Sequence, residues 1–203
     1  MPLRQRPDRR RAGIRVCVGV CIGTCAVAVG WLAGLGMAAT PPAMPAGHKN
    51  EGIPPAYNPM VIQPTATSGR SEFDLGPALA RAKRENKRLY VYLGADDCPY
   101  CRRYEGFLRK NASELVPHFK PWLVVDLRSS LSTLQSQLFF RVGNQSLGYA
   151  DFQRSINDER ARMLVYPSVW LFDPQMKPLM PMPAGTGTFE TVEEQLEILH
   201  LVQ

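Results

Sequence analysis

The feature that most constrains the fold is a cysteine pair, Cys98-Pro99-Tyr100-Cys101, set where an apolar run gives way to a helical pattern. The run, Leu89-Tyr90-Val91-Tyr92-Leu93, is short, apolar and aromatic, and reads as a buried strand over Arg88–Gly94. From Pro99 to about Asn111, Tyr100, Tyr104, Phe107 and Leu108 recur at helical spacing. With Cys98 as N-cap and Pro99 as first helical residue, unpaired backbone N–H groups and the positive dipole end face the first sulfur. Both favour a thiolate there. Cys101 lies one turn in, a more shielded position that suits a resolving thiol.

Three uses of such a pair compete. In thiol–disulfide exchange one thiolate attacks and the other resolves the mixed disulfide. A structural staple across so small a loop contributes roughly 2 kcal/mol by chain entropy, less than a long-range bridge. A zinc site needs two further ligands. The other cysteines, Cys17, Cys21 and Cys25, sit in the N-terminal apolar segment, and His48, His118 and His200 show no ligand spacing. No metal is expected. Met176, Met180 and Met182 are read as gap-fillers in a hairpin rather than copper ligands.

The net charge of +6 points to a nucleic-acid or membrane surface only until its distribution is read. Arg4, Arg6, Arg9, Arg10, Arg11 and Arg15 crowd the first fifteen residues, where Asp8 is the lone acid, so the remainder is close to neutral. No nucleic-acid partner is expected. Residues 16–39 follow without a charge. A basic head before such a stretch reads as a signal peptide or an N-terminal transmembrane anchor, with residues 40–203 delivered across the membrane. Cys17, Cys21 and Cys25, one turn apart, are taken as small apolar residues of that segment.

Seven prolines in residues 40–70, with few large apolar side chains, read as an extended, disordered linker. Ordered structure is expected from about Ser71. A helix over Asp74–Lys87 precedes the strand before the cysteines, and a second strand covers Trp122–Leu127. Helices are expected around Ser130–Phe140 and Tyr149–Arg160, then a hairpin pair at Pro167–Phe172 and Pro178–Pro183. A last helix starts at Thr191, with Glu194 completing a capping box. This order is that of an α/β sandwich.

Leu75–Lys87, Leu89–Ala95 and Cys98–Cys101 together resemble the thioredoxin-like superfamily, most of all its exported, often membrane-tethered bacterial branch. Tyr166-Pro167-Ser168-Val169-Trp170-Leu171-Phe172-Asp173 resembles that family's cis-proline segment and following strand. The resemblance covers about residues 72–203. It implies a central mixed sheet flanked by helices, with a helical insertion (about 129–163) before the cis-proline. It also implies a thiol–disulfide oxidoreductase in which Cys98 attacks, Cys101 resolves, and Tyr166 and Pro167 meet the substrate chain. No dissociable cofactor is implied, because the pair itself carries two electrons. The implied partners are cysteine-containing exported proteins and a redox partner that recycles the pair. The implied location is the periplasmic side of the bacterial inner membrane, anchored through an uncleaved N-terminal segment or secreted into the periplasm.

Two departures from the family bear on the chemistry. Asp96 and Asp97 precede Cys98 where an aromatic residue is common, and two carboxylates near a sulfur oppose its ionisation. Tyr92 stands where many thioredoxins place a buried, proton-relaying acid. These departures, with insertion 129–163, motivate an alternative: a thioredoxin-fold binding or assembly module of an envelope complex with little redox activity. The rings of Phe139, Phe140, Tyr149 and Phe152 are expected on the core rather than in a partner groove.

Overall fold

A computed structural model describes residues 49–180 and 188–202 of the chain. The segment 1–39 read as signal or anchor, and the first part of the expected linker, lie outside these residues. Among the described residues no helix is long and apolar enough to cross a membrane.

Strands β4 (Arg88–Ala95), β5 (Trp122–Ser129) and β8 (Ser168–Phe172) are buried along almost their whole length. Such strands need cover on both faces. β5 runs parallel to β4, and β8 runs antiparallel on the other side. β1 (Met60–Ile62) joins β5 in parallel, giving the order β1-β5-β4-β8. Side-chain alternation then divides the core in two. Leu89, Val91 and Leu93 of β4 and Trp170 and Phe172 of β8 face one cluster, with α1 (Gly76–Glu85) and α4 (Tyr149–Ser155). Tyr90 and Tyr92 of β4, with Val169 and Leu171, face the other. There they meet Tyr104 and Leu108 of α2 (Pro99–Lys110) and Leu199 of α5 (Val192–Leu201). A short α3 (Ala112–Leu115) follows α2. The α5 capping box forms as expected: Thr191 Oγ1 accepts the Glu194 N–H at 3.2 Å, and Glu194 accepts the Thr191 N–H at 3.1 Å. Strand order, helices on both faces and a cis Tyr166–Pro167 bond before β8 make this a thioredoxin-like α/β sandwich.

The expected disordered linker is corrected over residues 49–70. A 3-10 turn at Pro55–Tyr57 and strands β1 and β2 (Thr65–Thr67) occupy it. Ile53 and Tyr57 are buried in the second cluster, where the Tyr57 ring stands edge-on to Phe119 at 5.0 Å. Its hydroxyl donates to the Leu108 carbonyl at 2.8 Å. Ordered structure is therefore already present about twenty residues before Ser71. Prolines here start a turn and flank edge strands, positions that need no N–H donor.

The insertion is corrected as well, since the expected helix over Ser130–Phe140 does not form. A loop and a 3-10 turn lead into β6 (Leu138–Val142), which turns at Gly143 (φ +59°) into β7 (Gln145–Gly148). β6 pairs in parallel with β3 (Arg70–Asp74), building a second sheet of order β2-β3-β6-β7. Of the second expected helix, α4 and a separate 3-10 turn at Glu159–Arg162 form, so the α-helix stops at Ser155. As expected, Phe140, Tyr149 and Phe152 are core residues; Phe139 is half-exposed beneath Arg70. A buried ion pair, Arg160 Nη2–Asp158 Oδ2 at 2.6 Å, fastens the insertion to β8, where Trp170 Nε1 donates to Asp158 at 2.9 Å. Of the second hairpin, the described residues show a single bridge, Phe172 to Pro178.

Candidate functional site

The strand-to-helix junction places both cysteines. Cys98 is the N-cap of α2, with extended backbone (φ −90°, ψ 120°) and Pro99 at the first helical position. Its sulfur accepts the Cys101 N–H at 3.2 Å, one of the N–H groups a helix start leaves unpaired. On its other side, Cys98 Sγ donates to the Tyr166 carbonyl at 3.8 Å. The cis-proline segment is thereby brought against the sulfur. Cys101 Sγ accepts the Ala95 N–H at 3.4 Å. Both thiols are free.

The expected contrast in shielding is absent, since Cys98 is 1 % and Cys101 0 % exposed. The contrast lies in environment. Burial, then the neighbouring Cys98 thiol, pushes the Cys101 thiol far above the ordinary range. Cys101 therefore stays protonated until a group takes its proton.

The flanking residues are structurally engaged. Asp96 Oδ1 accepts from Arg128 Nη2 at 2.6 Å. Asp97 accepts the Leu131 N–H at 2.8 Å and the Ser130 hydroxyl at 3.2 Å, which fastens the insertion's first loop. Tyr100, at helical spacing with the buried Tyr104 and Leu108, is itself 69 % exposed, beside the cysteines. Tyr166 donates or accepts at Ser129 Oγ, 2.8 Å away.

Beneath the pair lies a buried ionic cluster that motif reading missed. Arg128 and Asp126 of β5 point to the α2 side of the sheet, as do Tyr92 and Trp122. Arg128 Nη1 donates to Glu105 Oε1 at 3.3 Å and lies 3.8 Å from Asp126 Oδ1; Nη2 holds Asp96 and the Asn50 carbonyl. The side chains of Arg128, Glu105 and Asp126 are 5 %, 3 % and 1 % exposed. Tyr92 donates to Glu105 Oε1 at 2.9 Å. Three carboxylates share one guanidinium, and burial raises the pKa of Glu105 and lifts Asp126 to about 6. Asp126 Oδ1 has no hydrogen-bond partner among the described residues, which adds to the cost of charging it. Charges at alternate positions of the Val124-Val125-Asp126-Leu127-Arg128 run were the sequence signal for this cluster.

Asp126 gives the site a signed pH dependence. Its folded pKa, about 6, stands above the ordinary 3.8, so the native state holds a proton that the unfolded chain releases. Across that window stability falls as pH rises. Asp126→Asn cannot titrate and should gain on the wild type by on the order of 2 kcal/mol between about pH 4 and pH 7, read from urea melts. Parallel stability–pH curves for the two proteins would refute the assignment.

A strap over residues 50–53 closes the cluster. Asn50 Nδ2 donates to the Ala95 and Cys98 carbonyls at 2.7 and 2.8 Å, and its N–H to the Asp96 carbonyl at 2.8 Å. Asn50 Oδ1 accepts from Arg102 Nε at 3.1 Å. The Ile53 N–H donates to Asp126 Oδ2 at 3.0 Å, and the neighbouring Gly52 N–H favours the Glu105 carboxylate. At the far end of α5, the structure brings His118 and His200 together, Nδ1 to Nε2 at 3.0 Å, though they are 82 positions apart. Among the described residues no three His, Cys, Asp or Glu side chains form a metal-holding group.

No protein-family model matches the chain, and no curated protein matches it. Among solved structures the chain is similar to a thioredoxin-fold protein from Helicobacter pylori. The identity is 19 %, over 57 % of this chain and 81 % of that one, with a TM-score of 0.32. The thioredoxin-like class rests instead on the chain's own strand order, its Cys-x-x-Cys helix start and its cis-proline.

Proposed function

We propose that the protein is an exported thiol–disulfide oxidoreductase acting on protein cysteines through Cys98 and Cys101. The observation that carries this reading is the Cys98 sulfur, seated on the α2 N-terminus and against the Tyr166 carbonyl before cis-Pro167. The Cys98 thiolate attacks a substrate disulfide, an S–S bond forms to the nearer sulfur, and the farther one leaves as thiolate. Cys101 then attacks the Cys98 sulfur, and the second substrate thiolate departs. The substrate gains two electrons and the pair becomes a disulfide; run backwards, the same steps oxidise a dithiol. Tyr166 and Pro167 border the path of the incoming chain. The basic head and the uncharged stretch 16–39 support delivery across a membrane, to exported cysteine-containing proteins and a partner that recycles the pair.

The 1 % exposure of Cys98 favours the second reading, a thioredoxin-fold binding or assembly module with little redox activity. One variant separates the two. Cys101→Ala, mixed with a disulfide-bonded peptide, should accumulate a covalent adduct on Cys98, whereas wild type should end oxidised and adduct-free by intact mass. A Cys101→Ala protein that stays unmodified at every pH tested would leave the module reading standing.

A further inference from the structure

The oxidoreductase reading leaves one step without a chemical agent. Cys101 must lose a proton to resolve the mixed disulfide, and its surroundings hold that proton tightly. Tyr92, on the strand that ends just before the cysteines, occupies the place of the relaying acid and has no carboxyl group of its own.

Three observations converge on a substitute. Tyr92 and Cys101 influence each other's ionisation, the Cys101 sulfur accepting the Ala95 N–H three residues beyond Tyr92 at 3.4 Å, and the Tyr92 hydroxyl donates to Glu105 Oε1 at 2.9 Å. Glu105 sits on α2, four residues after Cys101, so the helix that presents the thiol also carries the carboxylate one turn further on. Finally, the backbone makes room for this arrangement. A Cβ at Gly94 would stand 2.6 Å from Tyr92 Cε1 and 2.8 Å from its hydroxyl, so the ring folds back over that glycine.

We propose that Glu105 takes the Cys101 proton through the Tyr92 hydroxyl as Cys101 attacks the mixed disulfide. The proton moves from sulfur to the Tyr92 oxygen while the Tyr92 proton passes to Glu105. The Cys101 thiolate forms the bond to Cys98, the bond from Cys98 to the substrate sulfur breaks, and the substrate leaves as a thiolate. Glu105 never touches sulfur; it acts through Tyr92. In the reverse direction the same carboxyl returns the proton as the Cys98–Cys101 bond is opened.

The surroundings suit a group that both takes and gives a proton. Burial disfavours the Glu105 carboxylate, while donors from Tyr92 on β4, Arg128 on β5 and the Gly52 N–H favour it. Asp126 on β5 and Asp96 at the end of β4 share Arg128 with it, and Cys101 faces it across Tyr92. The net of these influences is a Glu105 carboxyl that binds a proton more readily than an ordinary glutamate. The strap over residues 50–53 covers the cluster, so the proton's route to the sulfur runs through Tyr92.

The inference rests on the oxidoreductase reading, and the test separates the two. Reduced full-length protein is mixed rapidly with 5,5′-dithiobis(2-nitrobenzoate). The first nitrothiobenzoate released reports attack by Cys98, and the second reports resolution by Cys101. In Glu105→Gln and Tyr92→Phe the second phase should slow about 100-fold relative to the first at neutral pH. Its rate should also rise tenfold per pH unit, as for an unassisted thiol, whereas the wild-type profile levels off. A second phase with wild-type rate and profile in both variants overturns the relay. A slowed phase with an unshifted profile also overturns it, because that is the mark of displaced geometry. Should Glu105→Gln fail to fold, Tyr92→Phe decides, since it removes one hydroxyl and no charge. A wild-type protein that shows no first phase overturns the oxidoreductase reading itself.

Discussion

Replacing Arg128 with methionine should destabilise the protein by about 3–5 kcal/mol at neutral pH. Arg128 is 5 % exposed and is the cation around which Asp96, Glu105, Asp126 and the Asn50 carbonyl are gathered. Methionine has a similar length and no donors, so the fold keeps its volume while two buried carboxyls lose their counter-ion. Asp96, 36 % exposed, recovers most of its loss from water, and the deficit falls on Glu105 and Asp126. The pH dependence identifies the cause. Both acids already have folded pKa values above their ordinary ones, Asp126 at about 6, and losing Arg128 raises them further. The native state then binds more protons than the unfolded chain over a wider range, so stability falls as pH rises through that range. The deficit should be smallest near about pH 3, where both carboxyls are mostly neutral in either state, and largest above about pH 7. Urea melts at the two ends of this range measure it. A deficit of equal size at both would mean that Arg128 matters for packing rather than charge.

The parts of the fold that could be read from the chain are those where local chemistry and tertiary packing agree. The strand before Cys98 is a short aromatic run with no other use, and α2 has a proline at its start. Thr191 and Glu194 encode the start of α5 by a bond they make with each other. The misread parts are those where one pattern serves two structures. Leu131, Leu134 and Leu138 fall at helical spacing, yet Leu131 and Leu134 are 50 % and 61 % exposed in a loop, and Leu138 enters a strand. The pairing of β6 with β3 decides the matter, and that partner lies some 65 residues earlier. Within residues 49–70, the proline count concealed Ile53, Tyr57 and the Met60–Ile62 strand, all of which have distant partners.

The candidate site divides in the same way. Cys98, Cys101 and Pro167 announce themselves by residue type and spacing. Glu105, Asp126 and Arg128 look like ordinary surface charges until β5 is seen to be buried at every position. Asn50 looked like linker. Its role depends on a chain path that returns to the Ala95 and Cys98 carbonyls, a relation between positions more than forty residues apart.

Gly52→Ala should show how firmly this strap is seated, and Gly69→Ala supplies the reference. Both glycines have left-handed backbone, φ +83° and +69°. Around Gly69 nothing lies within 4 Å of an added Cβ, so alanine there costs only the backbone conformation, about 1 kcal/mol. At Gly52 the same Cβ would stand 2.2 Å from Asp126 Oδ2 and 2.6 Å from Arg128 Nη1. Neither group is free to withdraw. Asp126 Oδ2 accepts the Ile53 N–H at 3.0 Å, and the guanidinium is held by Asp96, Glu105 and the Asn50 carbonyl. The strap must lift instead, giving up the Ile53 N–H bond to Asp126, drawing the Gly52 N–H away from Glu105 and admitting water to the cluster. Bonds to charged acceptors contribute about 1.5–3 kcal/mol each, so Gly52→Ala should lose at least about 2 kcal/mol more than Gly69→Ala. Hydrogen exchange should report the same event locally, with the Ile53 amide protected in wild type and Gly69→Ala and exchanging freely in Gly52→Ala. Equal losses in the two variants, with the Ile53 amide still protected, would mean that residues 50–53 rest beside the ionic cluster without closing it.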